Sequence, residues 1–227
     1  MLCYVDIEHE KVLQDSEKRL THLARCMDVK LKLEELSGRA CLVQHYSRVT
    51  RQRLEEWGIQ ALLISGNETD WADYGQTALI ELQQVLRTAD RPILGFCGGC
   101  QLIAMAYGAP LGPMRRLSAD EDDPRPDFAP GYFKEWGFTP VRVLQTHPLF
   151  NGLGEEPVLW ENHYWEVKEV PPGFEVLAST TACRIQAIGH TTKPLYGTQF
   201  HPELYTEEHA DGRKVLINFF RIAGILA

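Results

Sequence analysis

Cys97 is the residue of this sequence best placed to act as a nucleophile. It stands in the stretch GFCGG, after the apolar run 92–94 and before a segment of small and apolar residues. This pattern predicts a buried strand, a very tight turn and a buried helix, and glycine suits such a turn because it lacks a Cβ atom. Unpaired N–H groups at a helix start favour a thiolate. An isolated buried cysteine more often serves only to pack the core, but the glycines that flank Cys97 favour a role as nucleophile.

A base and its orienting carboxylate lie near the other end of the chain. A thiol needs a base because little of it is ionised near neutral pH. His201 and Glu203 follow an apolar strand and are two residues apart, so their side chains project together. Glu203 would fix the tautomer of His201 while the other ring nitrogen faces Cys97. Cys97, His201 and Glu203 therefore form a predicted catalytic triad.

The elements that must position these residues alternate in the first half of the chain. Strands are predicted at 2–5, 40–44, 59–64 and 93–96, with helices between them. Alternation of this kind indicates a parallel sheet, whose ligands bind beyond the carboxyl ends of its strands. We expect the loop residues that follow these strands to share one rim: Asp6 to Glu10, Ser65 to Asp70, and Cys97.

The first long helix is predicted from apolar residues at helical spacing. Its sheet-facing side is expected to carry Leu13, Leu20, Leu23, Ala24 and Met27. Another helix is expected around residues 74–86, and residues 213–222 predict an apolar-faced helix that ends the fold.

The second half of the chain is richer in short strands. They are predicted at 140–144, 158–160, 165–167, 175–178, 184–189 and 195–200. Because no linker separates the two halves, residues 1–227 are predicted to form a single domain. Residues 111–136 are expected to be an exposed excursion whose acidic cluster, Asp120 to Asp123, is solvated rather than metal-binding.

Composition narrows the function classes. The 227 residues carry a formal net charge of −8, which argues against nonspecific binding of nucleic acid or an anionic membrane. No segment reads as a signal peptide or a membrane span. Six scattered cysteines are expected to be reduced thiols, and the predicted location is the cytoplasm.

Two motifs together carry a family resemblance. Residues 95–104 read GFCGGCQLIA and residues 196–203 read YGTQFHPE, and this chain therefore resembles the class I (triad-type) glutamine amidotransferases over nearly its whole length. Intervening segments also match in order: HPLFNGL at 147–153, NH at 162–163 and PGFEVLA at 172–178. The resemblance implies a flavodoxin-like three-layer α/β sandwich, with a mostly parallel central sheet and a small antiparallel β extension.

The resemblance also implies a reaction and a set of site residues. Cys97 would attack the side-chain amide of glutamine, and a γ-glutamyl thioester would form and be hydrolysed. The implied oxyanion residues are Gly98, Gly66 and Asn67. The implied substrate-binding residues are Gln101, Asn162, His163 and Tyr164. The resemblance implies no cofactor and no metal.

Two segments depart from the family pattern. The oxyanion loop usually contains glycine, proline and glycine, whereas this chain has Ser65-Gly66-Asn67-Glu68-Thr69-Asp70. Asn67 tolerates positive φ, so the turn is expected to form, and the bulkier residues after it are expected to narrow or re-aim the pocket. Tyr164 and Trp165 stand where relatives often have glycine, and either wall the site or serve in packing.

Cys97 and Cys100 form a C-x-x-C pair. A thioredoxin-like redox role fits the rest of the sequence poorly. Cys100 is interpreted as packing on the first helical turn, with a reversible Cys97–Cys100 disulfide that silences the enzyme as the alternative hypothesis.

Three functions remain open from the sequence. The first is a glutaminase that passes ammonia to a separate synthase partner. The second is a freestanding γ-glutamyl hydrolase acting on a γ-glutamyl amide or peptide. The third is a non-catalytic binding domain, which the intact triad disfavours.

Overall fold

The computed structural model describes residues 1–75 and 77–227. The strands are β1 (Leu2–Asp6), β2 (Cys41–His45), β3 (Ala61–Ile64), β4 (Ile93–Phe96), β5 (Leu111–Pro113), β6 (Glu135–Pro140), β7 (Arg142–Val143), β8 (Val158–His163), β9 (Trp165–Val167), β10 (Phe174–Ser179), β11 (Ala187–His190) and β12 (Leu195–Thr198). The helices are α1 (Glu10–Gln14), α2 (Ser16–Ser37), α3 (Arg51–Glu56), α4 (Ile80–Thr88), α5 (Gly98–Ala106) and α6 (Asp211–Ile222). Among the residues described, none of these helices has the length and apolar character needed to cross a membrane.

Eight strands form the central sheet in the order β2-β1-β3-β4-β12-β11-β10-β7. The pairs from β2 to β12 are parallel, and the pairs from β12 to β7 are antiparallel. Two small antiparallel pairs, β5–β9 and β6–β8, lie outside it. The predicted mostly parallel sheet with an antiparallel extension is confirmed.

Helices cover both faces of the sheet. Along β1, Cys3 and Val5 belong to the core shared with α3, α4 and α5, whereas Leu2 and Tyr4 belong to the core shared with α2 and α6. This alternation follows from the two-residue period of a strand, which sends successive side chains to opposite faces. The predicted three-layer α/β sandwich is therefore confirmed.

The parallel strands bring the predicted loops to one rim. The loops after β1, β3 and β4 all leave carboxyl ends of neighbouring strands. Glu8 accepts a hydrogen bond from the backbone of Glu68 at 2.7 Å, and Gly66 lies against Cys97. The predicted juxtaposition of these loops is confirmed.

The predicted apolar face of the first long helix is wrong. Leu20, Leu23 and Met27 are exposed, by 68%, 47% and 51%. The helix instead packs through the side chains Cys26, Val29, Leu33 and Leu36. It carries two apolar stripes, and periodicity alone does not indicate which one meets the sheet.

The start of this helix also differs from the prediction. Leu13 belongs to the separate helix α1, which ends at Asp15. Asp15 has extended backbone torsions, and its carboxylate accepts hydrogen bonds from the N–H groups of Glu17 and Lys18. An aspartate N-cap of this kind starts a new helix rather than continuing the previous one.

The segment 111–136 is more closely attached to the domain than the sequence suggests. Strands β5 and β6 were not predicted, and each pairs with a strand from the second half of the chain. In the acidic cluster, Glu121 makes two hydrogen bonds of 2.5 Å with Arg115, and Asp123 lies 2.6 Å from the buried ammonium of Lys134. These two carboxylates therefore form ion pairs within the segment, which hold its loop together.

Candidate active site

The backbone at Cys97 forms a strained turn between β4 and α5. Its φ and ψ are 46° and −104°, a combination that side chains with a Cβ atom rarely adopt. The Cys97 N–H donates to the carbonyl of Thr198 at 2.7 Å, which ties the turn to β12. A Cβ atom on Gly99 would lie 2.5 Å from the carbonyl oxygen of Ile64, so only glycine lets the helix approach β3 this closely. The predicted strand–turn–helix is confirmed.

Cys97, His201 and Glu203 are brought together from opposite ends of the chain. His201 Nδ1 lies 2.7 Å from Glu203 Oε1, and both side chains are largely buried. A Cβ atom on Gly66 would lie 3.0 Å from His201 Cε1 and 3.4 Å from Cys97 Cβ. The cysteine and the histidine therefore flank the same small space, which a larger residue at position 66 would fill.

The electrostatics of the histidine favour its charged form. Burial lowers the pKa of His201, but the negative charges of Glu203 and Cys97, together with the hydrogen bond to Glu203, raise this pKa well above its ordinary value. A histidine beside a thiol can take up its proton, and the thiolate is the reactive form of cysteine. This arrangement can perform nucleophilic acyl transfer.

The loop opposite the cysteine packs on Gly98. A Cβ atom on Gly98 would overlap Asn67 Oδ1 and would lie 3.0 Å from Asn67 N. Asn67 does not have positive φ, so the loop forms without the left-handed residue that the sequence allowed for. Its side-chain Nδ2 instead donates to the carbonyl of Thr69 at 2.7 Å. The assignment of Gly98, Gly66 and Asn67 to the oxyanion hole stays a prediction.

Glu8 anchors the same loop. Its carboxylate is only 2% exposed and accepts hydrogen bonds from Glu68 N at 2.7 Å, Thr69 Oγ1 at 2.6 Å and Thr69 N at 3.3 Å. These bonds take the place of the rigid glycine-proline-glycine pattern. The sequence placed Glu8 at the rim but did not indicate this role, because the loop that Glu8 binds is about 60 residues away in the chain.

Gln101 lies in a small cavity of about 40 Å³ beside Cys97. Its Oε1 accepts from Trp71 Nε1 at 2.7 Å, and its Nε2 donates to the carbonyl of Trp165 at 3.0 Å and to Gln199 Oε1 at 3.1 Å. Both ends of the amide are thus already bonded within the protein. The predicted contact of Gln101 with substrate stays a prediction, and Trp71 and Gln199 are neighbours that sequence reasoning missed.

Tyr164 walls this small cavity from the other side. Its hydroxyl donates to Asp70 Oδ2 at 3.2 Å, and its ring meets Phe128 edge-to-face at 5.3 Å. The tyrosine therefore joins the unusual loop to the 111–136 segment, and the aromatic pair at 164–165 encloses the cavity, as one of the two sequence interpretations expected.

Asn162 and His163 face different partners. The carbonyl oxygen of Asn162 lies 3.8 Å from Cys97 Sγ. The ring of His163 points into a buried acidic cluster, with Nε2 at 3.1 Å from Glu135 Oε2 and 3.3 Å from Glu161 Oε2. Burial lowers the pKa of His163, but the two carboxylates raise it to about 10. Its side chain is thus held by these carboxylates rather than free for substrate, and its contact with substrate stays a prediction.

A larger cavity of about 320 Å³ opens on the His201 side of Cys97. Its lining includes charged residues such as Arg25 and Arg125 and four aromatic residues: Tyr4, Phe128, Trp136 and Trp160. The guanidinium of Arg125 stacks 4.1 Å above the Trp136 ring. The 111–136 segment therefore supplies part of the wall, a contribution that the sequence did not indicate.

Cys100 is fully buried on the first turn of α5. Its Sγ lies 2.7 Å from the place that a Cβ atom on Gly197 would occupy, so it fills the gap left by that glycine. Burial raises the pKa of the Cys100 thiol, and the charge of Cys97 adds to this effect. These observations favour the packing interpretation over a redox pair, and all six cysteines are unpaired.

Comparison with known protein families identifies the family of this chain. The family model for "Glutamine amidotransferase class-I" matches residues 29–223. The chain belongs to this family. The matched region includes the nucleophile turn, the 162–164 segment and the histidine–glutamate pair.

The chain is similar to several proteins named as glutamine-hydrolysing subunits of GMP synthase. It is 40% identical to the one from Methanocaldococcus jannaschii over 136 residues, covering 60% of this chain and 62% of the relative. With the one from Thermoplasma acidophilum it shares 32% identity over 166 residues, covering 73% of this chain and 72% of the relative. The match with the Methanocaldococcus relative thus spans less than two thirds of that protein's length.

Solved structures agree with the fold. A Thermoplasma acidophilum structure, provisionally described as a GMP synthase subunit, superposes with a TM-score of 0.73 at 28% identity and covers 99% of this chain and 94% of that one. A Thermotoga maritima glutamine amidotransferase superposes with a TM-score of 0.69, covers 98% of each chain, and is 12% identical, which supports the fold alone.

Proposed function

We propose that this chain hydrolyses the side-chain amide of glutamine and supplies the ammonia to a separate synthase partner, as the glutamine-hydrolysing component of a GMP synthase. The observation that carries the proposal is the cluster of Cys97, His201 and Glu203 at the rim of the sheet. Family membership and the similarity to glutamine-hydrolysing GMP synthase subunits support it. A cytoplasmic location is part of the proposal.

Each step assigns a role to a described residue. Cys97 Sγ attacks the amide carbon, and the oxyanion that forms accepts hydrogen bonds from Gly98 N–H and from the loop at Gly66 and Asn67. His201 then gives its Nε2 proton to the departing nitrogen, so ammonia leaves and a γ-glutamyl thioester remains. In the second half of the reaction, His201 takes a proton from water as the water attacks the thioester. Glutamate is then released and the Cys97 thiol is regenerated.

Two features of the site support catalysis by these residues. Glu203 holds the imidazole ring and stabilises its charged form in both halves of the reaction. A preorganised donor to the oxyanion typically contributes about 10²–10³-fold to kcat. The roles of Gln101, Asn162, His163 and Tyr164 in binding the glutamine head are part of this proposal, supported by their places around the small cavity beside Cys97. His163 would act through its backbone, because its side chain is held by Glu135 and Glu161.

The test is ammonia release from glutamine by the purified chain, compared with Cys97→Ala and repeated with γ-glutamyl amines. We expect release from glutamine that Cys97→Ala abolishes, and a rise in rate when the copurified native partner is added. Preference for γ-glutamyl amines would instead support the freestanding hydrolase.

Covalent labelling separates an inactive chain from one that lacks its partner. A glutamine-like chloroketone is expected to label Cys97, with His201→Ala slowing the reaction. Absence of both labelling and ammonia release, with and without the native partner, would refute the proposal.

A further inference from the structure

Three side chains that the proposed reaction does not use meet beside the larger cavity. His22 and Cys26 lie four residues apart on α2, and Asp6 ends β1. His22 Nε2 lies 2.8 Å from Asp6 Oδ2 and 3.5 Å from Cys26 Sγ, and the three ligand atoms are all within 4.8 Å of one another. An imidazole nitrogen, a thiol sulfur and a carboxylate oxygen thus point to one common space.

These groups are sheltered from bulk water. The side chains of His22 and Asp6 are 13% and 5% exposed, and Cys26 is 5% exposed. Spacing of four residues places His22 and Cys26 on the same face of the helix, one turn apart. The arrangement is held by the packing of α2 on the sheet, so its geometry does not depend on a flexible loop.

A single nitrogen atom, His22 Nε2, serves both hydrogen-bonding contacts of this cluster. The Nε2 atom of His22 carries at most one hydrogen, yet it is the nearest polar partner of both Asp6 Oδ2 and Cys26 Sγ. A bound cation would engage all three atoms at once. Asp6 is also prepared as a ligand, because its other oxygen, Oδ1, accepts the Glu8 N–H at 3.0 Å and fixes the carboxylate plane.

We propose that Asp6, His22 and Cys26 bind a divalent zinc-type cation. Zinc takes sulfur, nitrogen and oxygen ligands at about 2.0–2.3 Å in a tetrahedral arrangement, which requires ligand atoms about 3.3–3.8 Å apart. The separations in this cluster fall around that range, so small side-chain movements suffice. Binding displaces the proton of the Cys26 thiol into solvent, while neutral His22 keeps its single ring hydrogen on Nδ1, so Cys26 Sγ and the Nε2 lone pair of His22 are both bonded to the metal.

The fourth position of the cation would face the larger cavity. His22 and Cys26 line that cavity together with Cys97 and His201. Three protein ligands and one open position distinguish this site from a closed structural site. The ion would also tie α2 to the end of β1, two residues before the Glu8 carboxylate that anchors the oxyanion loop. All three ligands precede residue 29, where the family match begins.

Binding is tested in a Cys97→Ala background, which removes the other thiol next to a histidine at this cavity. Zn²⁺ is titrated into the reduced protein against a chromophoric chelator, and Co²⁺ is used as a spectroscopic probe. We expect one ion per chain and a thiolate-to-cobalt charge-transfer band. Calorimetry in buffers of different ionisation enthalpy should detect proton release.

Variants assign the ligands. Cys26→Ser and His22→Gln are each expected to weaken binding at least about tenfold, and Cys26→Ser to remove the charge-transfer band. Cys41→Ser, a buried cysteine on β2, is the matched control and should leave binding unchanged. Thermal unfolding with a chelator present checks that each variant is folded, and Asp6→Asn provides a third ligand variant should one of the others unfold.

Three outcomes would overturn the proposal. One is absence of saturable binding by the Cys97→Ala chain. Another is weak binding shared equally by all variants, which indicates an adventitious ion only. The third is a cobalt complex without thiolate character. Because none of these readouts uses glutamine, they are independent of the proposed glutaminase activity.

Discussion

Replacing Glu8 with glutamine tests whether this buried carboxylate sets the oxyanion loop. Glutamine keeps the size of the side chain and one oxygen acceptor, which can still serve Thr69. Its amide nitrogen then faces the N–H of Glu68, so a donor meets a donor where the carboxylate made a hydrogen bond of 2.7 Å. The predicted triad of Cys97, His201 and Glu203 is untouched by this change.

The expected magnitude follows from the lost bond. A hydrogen bond to a charged group contributes about 1.5–3 kcal/mol, and about 1.4 kcal/mol corresponds to a tenfold change. If the loop must be in place to bind the oxyanion, kcat should fall about 10- to 100-fold with KM little changed. This range lies below the effect of removing one oxyanion donor outright, about 10²–10³-fold, as expected for a change that shifts the loop without deleting a donor.

The assay pairs two rates under conditions in which the wild-type chain turns over. Glutaminase kcat is measured beside the rate of Cys97 alkylation by iodoacetamide, which needs the thiolate but no oxyanion hole. Alkylation should stay near the wild-type rate. Glu10→Gln, an exposed neighbour, is the control. An unchanged kcat in folded Glu8→Gln, or a parallel fall in alkylation, would refute the reasoning.

Three further substitutions test other parts of the site. Gly98→Ala places a methyl group on Asn67, so kcat should fall at least about tenfold. In the Gly98→Ala/Asn67→Gly double variant, kcat should recover partly. Equal kcat values in the single and double variants would contradict the steric argument. Trp71→Phe removes the indole N–H that donates to Gln101 on α5. Because this hydrogen bond contributes about 1 kcal/mol, KM should rise about fivefold while kcat changes little. A fall confined to kcat would be inconsistent with a positioning role. Glu203→Gln should lower the pKa of His201. In the wild type this pKa is raised, so the charged ring stabilises the fold fully below about pH 6.5 and this stability is lost as pH rises through the folded value. In the variant the loss should be smaller and should be complete at lower pH, as measured by thermal unfolding from neutral to alkaline pH, and identical profiles would argue against the charge pair.

Local sequence patterns correctly predicted the strand, turn and helix around Cys97. Strand β4 was predicted with the bounds that the structure has, and the glycines around Cys97 predicted the turn and the helix behind it. Such features depend on short-range sterics and backbone hydrogen bonding, which a short window of sequence contains. The pairing of His201 with Glu203 was also predictable, because the two residues are only two positions apart in the chain.

Partner choice across long separations was not predictable from pattern. Glu8 meets Glu68 at a separation of 60 residues, and Gln101 meets Gln199 at a separation of 98. These contacts depend on the order of strands in the sheet, which alternation indicates only in outline. The correct face of α2 and the cavity wall formed by Arg125 and Phe128 likewise depend on how elements pack.

The sequence by itself predicted Cys97 as the nucleophile, His201 as its base and the strand–turn–helix that presents the thiol, because each is a short-range pattern of residue types. Only the tertiary structure decided what surrounds them. It joined Glu8 to the unusual loop, buried Cys100 against Gly197, and brought His22 of α2 to Asp6 of β1. The physical reason is that packing a helix on a sheet selects one of several apolar faces, and that selection sets which polar groups meet.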